Sequence, residues 1–365
     1  MTLASRQLKI DTNDEIVYLK QVSERLAAAL QDIKLLARLT PINESQERVL
    51  FDKSLNGNPS FEYLSLDYDS MALEQALNEI EIPDTELGSL LENQRKSVIR
   101  QNQIARYRGD VDRVKNLSQA LYGEPGAQLV ATAKQIIEKV SPEETLNTVS
   151  ATEIKQAITD KIADYDLNWR VEFSDKLLTT VYPADRLLTV CEHRNFAEID
   201  LKRLPVHEVG VHVLRAANGY LQPLKMFAVG FSKYLSTEEG MAAYFEEQTG
   251  TSSTNVIRSY AARVLAADSM CRGDSFRQTF DLMSELRLSN DDAWNTTVRI
   301  YRGGGFAKDY IYLLGMENVR AFADSGGDLR ELYVGKIGIE DLEMVRTLRQ
   351  QGVLVPPKYL PEFLS

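Results

Sequence analysis

The stretch that decides how this chain is read covers residues 204–223, LPVHEVGVHVLRAANGYLQP, and is completed by residues 236–247, STEEGMAAYFEE. The chain holds three histidines, and two of them, His207 and His212, stand here with Glu208 directly after the first. Imidazoles and a carboxylate suit zinc, and a catalytic zinc site uses three protein ligands so that water takes the fourth position. In the usual helical motif the histidines lie four apart and share one face. At the His207-to-His212 spacing, a regular α-helix turns the rings roughly 140° apart. A π-turn brings both rings back to one side, and such bulges collect at functional sites. A π-bulge is therefore expected between Val206 and Val213, with Gly210 easing the distortion.

The third ligand is expected from a second helix starting near TEEGMAA, with Ser236 or Thr237 as its N-cap. The small residues Gly240, Ala242 and Ala243 allow it to approach closely. Adjacent helical side chains point about 100° apart, so only one of Glu238 and Glu239 can face the ion. Spacing leaves that choice open.

These motifs resemble the bacterial flavohemoglobin expression-modulating QEGLA motif proteins, which are similar to the microtubule-associated tyrosine carboxypeptidases of animals. The likeness runs over residues 166–315 and rests on HEVGVH, Leu214-Arg215, Asn218-Gly219, the Glu-Glu-Gly step and YRGGGFAKD at residues 301–309. It implies that His207, His212 and Glu239 bind Zn2+ and that Glu208 is the catalytic base. It also implies removal of a C-terminal residue, with Tyr or Phe the class the family suggests. Met241 stands where the family has leucine, and Val211 where it often has threonine. Neither change removes a ligand.

A net charge of −11 and a pI near 5.0 argue against nucleic acid or an anionic membrane as the main partner. Cys191 and Cys271 make no disulfide framework, which favours a reducing compartment and a cytoplasmic location. The opening MTLASRQLKIDTNDEIV lacks a basic start followed by an apolar core, so no signal peptide is expected. No run approaches the ~18 apolar residues of a membrane span.

Apolar residues at three- and four-residue steps predict a long helix over residues 13–39, then helices over 70–80, 88–108, 110–121, 127–140 and 151–165. Residues 1–150 are thus expected to be a helical region buttressing a catalytic domain over 151–365. Residues 168–174, 177–181 and 187–191 are β-branched and apolar and predict a small antiparallel sheet before the histidine helix. An edge strand there could pair with an extended peptide. His193 shares a strand face with Cys191 and is weighed as a further ligand, but a lone strand histidine is more often structural or exposed. Asn218-Gly219 is expected to end the histidine helix through a left-handed Gly219. Arg215 is expected to pair with a ligand-orienting carboxylate, such as Asp200 or Glu246, or to bridge at the surface.

Further helices are expected over 254–267, 275–286, 291–301 and 340–350, and the proline-bearing VLVPPKYLPEF over 353–363 as an extended strap. The triple glycine at 303–305 lacks the Gly-Lys-Ser/Thr ending of a phosphate loop. For a carboxypeptidase the same stretch fits better. Arg299, Arg302 and Lys308 are candidates for binding a terminal carboxylate, and Tyr301 and Tyr312 for stabilising an oxyanion.

The expected fold is α+β and predominantly α: a minimal thermolysin-like (gluzincin) core with a small antiparallel sheet and the N-terminal helices packed on it. The expected reaction is hydrolysis by a water that Zn2+ acidifies, with Glu208 taking the proton and passing it to the leaving amine. The partner is the C-terminus of a peptide or protein. A non-catalytic regulator that retains the peptidase fold is the alternative.

Overall fold

The computed structural model describes residues 13–175 and 179–364. The opening residues read above for a signal peptide, and part of the strand expected over 177–181, lie outside them. The first expected helix is two helices, α1 (Asn13–Ile33) and α2 (Leu35–Leu39). Lys34 breaks them with a left-handed φ of 44°. The break turns Leu39 inward against the backbone of Gly303, where an added Cβ would sit 2.5 Å from the Leu39 side chain. Helices α3 (Glu44–Lys53), α4 (Ser70–Asn78), α5 (Glu86–Arg106), α6 (Val111–Tyr122), α7 (Ala127–Lys139) and α8 (Ala151–Ala163) follow. Asp69, Thr85, Asp110 and Ser150 cap four of them by accepting backbone N–H groups of the first turn. Leu19, Leu26 and Ile33 of α1 and Leu87, Leu91 and Val98 of α5 share one apolar cluster with Val211, Leu214, Met241 and Phe245. Each such side chain contributes about 1.5–3 kcal/mol on burial, so the N-terminal helices and the histidine segment stabilise each other.

The sheet is mixed, which corrects the antiparallel expectation. Strands β1 (Arg170–Ser174), β2 (Thr180–Tyr182) and β3 (Leu187–Cys191) lie in the order β1-β3-β2. The short turn over Pro183–Asp185 returns β2 against β3 antiparallel, whereas β1 lies on the far side of β3 and parallel to it. Leu188 and Val190 of β3 are buried with Val209 and Val213, so the sheet backs the histidine segment.

That segment is continuous: α9 (Asp200–Leu204), a π-helix over Pro205–Val213, and α10 (Leu214–Gly219). Gly219 is not a left-handed stop. The helix turns past it with Tyr220 still right-handed. The glycine is needed because an added Cβ would sit 2.2 Å from the Phe227 carbonyl oxygen. After α11 (Met226–Val229), α12 (Tyr234–Gln248) begins earlier than expected, at Lys233 with φ 69°. Thr237 is therefore inside the helix, and its hydroxyl accepts the Ile339 N–H at 3.0 Å instead of capping. Helices α13 (Thr254–Arg272), α14 (Phe276–Glu285), α15 (Asn290–Tyr301), α16 (Ile311–Asp324) and α17 (Leu342–Gln350) complete the body.

Helices α12 and α16 touch backbone to backbone. A Cβ on Gly240 would fall 2.2 Å from the Gly315 carbonyl carbon, and one on Gly315 would fall 2.0 Å from the Ser236 oxygen. The tail runs back over α10 as a strap. Asn218 accepts the N–H groups of Lys358 and Tyr359 and donates to the Tyr359 carbonyl, while Gln222 exchanges two hydrogen bonds with Val355. Among the described residues, no helix is long and apolar enough to cross a membrane.

Candidate active site

The π-helix carries out the geometric task that its spacing poses. His207 and His212 lie with ring centroids 4.9 Å apart, and both are buried. Of the two glutamates left open above, Glu239 turns to them: its Oε2 lies 3.7 Å from His207 Nε2 and 3.8 Å from His212 Nε2. Glu239 Oε2 is buried and has no hydrogen-bond partner. Such an orphaned oxygen costs free energy unless something binds it. Zinc bonds of ~2.0–2.1 Å in a tetrahedron place ligand atoms about 3.4 Å apart. The donor set and the orphan together fit a zinc ion.

The outer ring nitrogens are held by the same helix. His207 Nδ1 bonds Glu246 Oε1 at 2.8 Å, and His212 Nδ1 bonds Glu238 Oε1 at 2.8 Å. A carboxylate at Nδ1 fixes the tautomer that leaves Nε2 free as a ligand. Each carboxylate is anchored in turn. Arg203 donates to Glu246 at 3.0 Å and to Asp200 at 2.8 Å. Arg215, expected to meet Asp200 or Glu246, instead donates to Glu238 at 2.6 Å and to the carbonyls of Leu332 and Ile337. Lys336 also pairs with Glu238. This separates the two glutamates: two buried cations claim Glu238, and Glu239 is left as the one that faces the histidines.

Burial opposes charge on both ligands, but their proximity wins. Burial disfavours protonated His207, yet the Glu239 and Glu246 carboxylates push its pKa up to about 10. Burial likewise opposes the Glu239 charge, while the histidines hold its carboxyl down at about 2. These carboxylates favour positive charge between the rings, which a bound cation would supply in place of a proton. Glu208 is buried beside them, and burial raises its carboxyl above the usual range against the pull of His207 and His212.

A model of the microtubule-associated tyrosine carboxypeptidase family matches residues 48–365. The chain belongs to that family. No curated protein matches it.

What the tyrosine carboxypeptidase family name brings forward is the second half of the site, around YRGGGFAKD. Arg299 donates from Nε and Nη2 to the two oxygens of Asp309 at 2.9 and 3.2 Å, and Arg302 donates to the same carboxylate at 3.2 Å. Burial opposes the Asp309 charge, but these guanidiniums hold its carboxyl far below the usual range. Lys308 is buried within electrostatic reach of Glu239 and Asp309, and burial lowers its pKa. Tyr312 stacks on Tyr260 at 5.2 Å, and its phenol is raised by burial and by the nearby Glu239 charge. Tyr301 is directed elsewhere: its hydroxyl donates to the Asp274 carbonyl at 2.5 Å and bonds Thr279 at 2.8 Å. The triple glycine docks the N-terminal helices. Gly303 donates to the Tyr63 hydroxyl at 2.8 Å, and a Cβ on Gly304 would meet the Val111 backbone at 3.1 Å. His193 is exposed, 3.3 Å from Asp175, and stands apart from the triad.

Glu246 is a ligand-orienting carboxylate as expected, though anchored by Arg203 and not by Arg215; sequence reasoning missed Lys336 and Asp309 as anchors, and Tyr260 altogether. Glu246 lies two helical turns beyond Glu239 and so on the same face. Lys336 carried no signal, because only the tertiary fold brings it to Glu238.

Proposed function

We propose that the protein is a zinc-dependent carboxypeptidase acting on peptides or proteins that end in tyrosine or a similar aromatic residue. The observation that carries the proposal is the partnerless Glu239 oxygen between His207 and His212 Nε2, on rings already oriented by Glu238 and Glu246. His207, His212 and Glu239 would hold Zn2+. When bound, the ion supplies a Lewis acid for the scissile carbonyl and lowers the pKa of water.

The remaining work falls to side chains. Glu208, kept near the triad with a raised pKa, accepts a proton on its carboxylate and returns it to the departing amine. Tyr312 keeps its proton and can donate it as a hydrogen bond to a developing oxyanion. The cations around Asp309 supply the field that draws a terminal carboxylate toward the site. The family name supports tyrosine as the residue removed. The cytoplasm remains the expected location and a protein C-terminus the expected partner.

Elemental analysis of wild type, Glu239→Ala and Glu208→Gln, with a tyrosine-ended peptide assay, tests the proposal. About one zinc per chain in wild type and Glu208→Gln, none in Glu239→Ala, and turnover by wild type alone is the expected pattern. A wild type that neither contains nor takes up zinc ends the proposal and leaves a regulatory protein on a peptidase fold.

A further inference from the structure

The carboxypeptidase reading requires a group that grips the terminal carboxylate, and the obvious arginines are occupied. Both guanidiniums of the glycine motif, Arg299 and Arg302, are bound to Asp309, whose side chain is fully buried. A forked grip on a second carboxylate needs free donors. Among the described residues, two cations near this motif have neither a hydrogen-bond nor an ion-pair partner: Lys308 and Arg263. Lys308 is a buried point charge. Arg263, on α13, is only partly buried and presents the planar fork.

We propose that Arg263 is a substrate-binding residue that receives the α-carboxylate of the peptide's last residue, with Lys308 as the second cation of the same grip. This rests on the carboxypeptidase reading and deepens it. Three observations carry it. First, Arg263 belongs to the wall of the zinc site: its guanidinium lies 4.8 Å from the Tyr312 ring and 5.4 Å from the Tyr260 ring. Tyr260 donates to Glu246 at 3.4 Å, the carboxylate that holds His207, and Tyr312 is in the field of Glu239. Second, the aromatic faces hold the guanidinium without using its N–H donors, so the fork is positioned yet still available. Third, the local charge is unbalanced. Arg299 acts on Arg263, Arg302 and Lys308, all four act on Asp309, and Asp309 is already shared by two of them. Burial and the Arg299 cation both weigh against the Arg263 charge. An incoming carboxylate relieves that repulsion. In an exopeptidase this is the place where a second anion is required.

The test separates the two readings by measuring binding rather than turnover. Zinc-loaded full-length Glu208→Gln is titrated calorimetrically with an acetylated pentapeptide ending in tyrosine, as the free acid and as the C-terminal amide. The single variant is expected to prefer the acid by about tenfold or more, the scale of one charge-assisted pair. Adding Arg263→Ala should reduce that preference to within about twofold, and Arg263→Gln, which keeps the packing on the two tyrosines, should do the same. An undiminished preference in both double variants overturns the assignment of Arg263 while leaving the carboxypeptidase reading in place. Equal binding of acid and amide by Glu208→Gln alone overturns both. Thermal unfolding of each variant identifies a misfolded protein, and the folded member of the Ala and Gln pair then decides.

Discussion

The two halves of the site treat charge in opposite ways. On α12, the carboxylates behind the two histidines are paired: Glu238 meets Arg215, Lys336 and His212, and Glu246 meets Arg203 and His207. One carboxylate oxygen of Glu239 is the exception. On α13, α15 and residues 302–312, four cations surround a single aspartate. The first half is paired except at one carboxylate oxygen, and the second carries more cations than carboxylates. Under the proposed function, the first imbalance suits a metal ion and the second a substrate carboxylate.

The largest effect should come from breaking the balanced half. Glu238→Ala strands Arg215 and Lys336, whose side chains are 0% and 4% exposed, and should cost about 4 kcal/mol by urea denaturation. It should also weaken zinc binding about 10- to 100-fold, because His212 loses its orienting carboxylate. The equivalent cut in the cationic half, Asp309→Asn, should cost somewhat less, about 3 kcal/mol, because Arg299 and Arg302 keep side-chain exposures of 20% and 11%. Its loss should be partly recovered in phosphate buffer, whereas the Glu238→Ala loss should not. Equal response of the two variants to phosphate would remove the distinction between the halves.

Gly315→Ala separates the halves without altering their charges. Helix α16 carries Tyr312, and α12 carries Glu239, and they meet at Gly240 and Gly315. An added methyl must push them apart, at about 2 kcal/mol of stability. Zinc content should hold while kcat/KM falls at least tenfold, and unchanged kinetics would show that the helix spacing is not critical. The smallest change lies outside both halves. Burial pushes the Asp341 carboxyl from 3.8 up to about 6. Because the folded pKa is the higher one, its stabilising contribution is complete below the unfolded value and lost as pH rises through about 6. Asp341→Asn should therefore gain about 1 kcal/mol at pH 8, allowing for partial exposure, and nothing at pH 3. The two pH values of one denaturation series check it.

How much of this was legible follows from the range of each interaction. The π-turn was readable because an i, i+5 histidine pair has few ways to share an ion. The helices were readable from apolar periodicity, though the break at Lys34 was not, since it answers to the distant Gly303. Direction in the sheet failed for β1, whose partner is not its neighbour in sequence. Asn218-Gly219 imitates a helix stop, but both residues serve long-range contacts, Asn218 with the strap and Gly219 with Phe227. Spacing could not choose Glu239 over Glu238, which the resemblance alone did, because the physical reason is Lys336 and Arg215 on Glu238. Arg263 stands in AARVLAAD, where nothing distinguishes it from a surface residue of an ordinary helix.

Gly210 sits inside the π-helix with its φ in the ordinary negative range, so it is not there for conformational freedom. Its missing side chain makes room for Phe363, whose ring atoms lie 3.3 Å from where a Cβ would be, and its carbonyl accepts the Tyr333 hydroxyl at 2.7 Å. Phe363 also packs on Phe245 of α12 at 4.5 Å between ring centroids. The π-turn made by residues 205–213 is thus braced by a residue translated some 150 codons later. The geometry of the two histidines therefore rests on a contact between segments far apart in the chain, which forms only once both have been made.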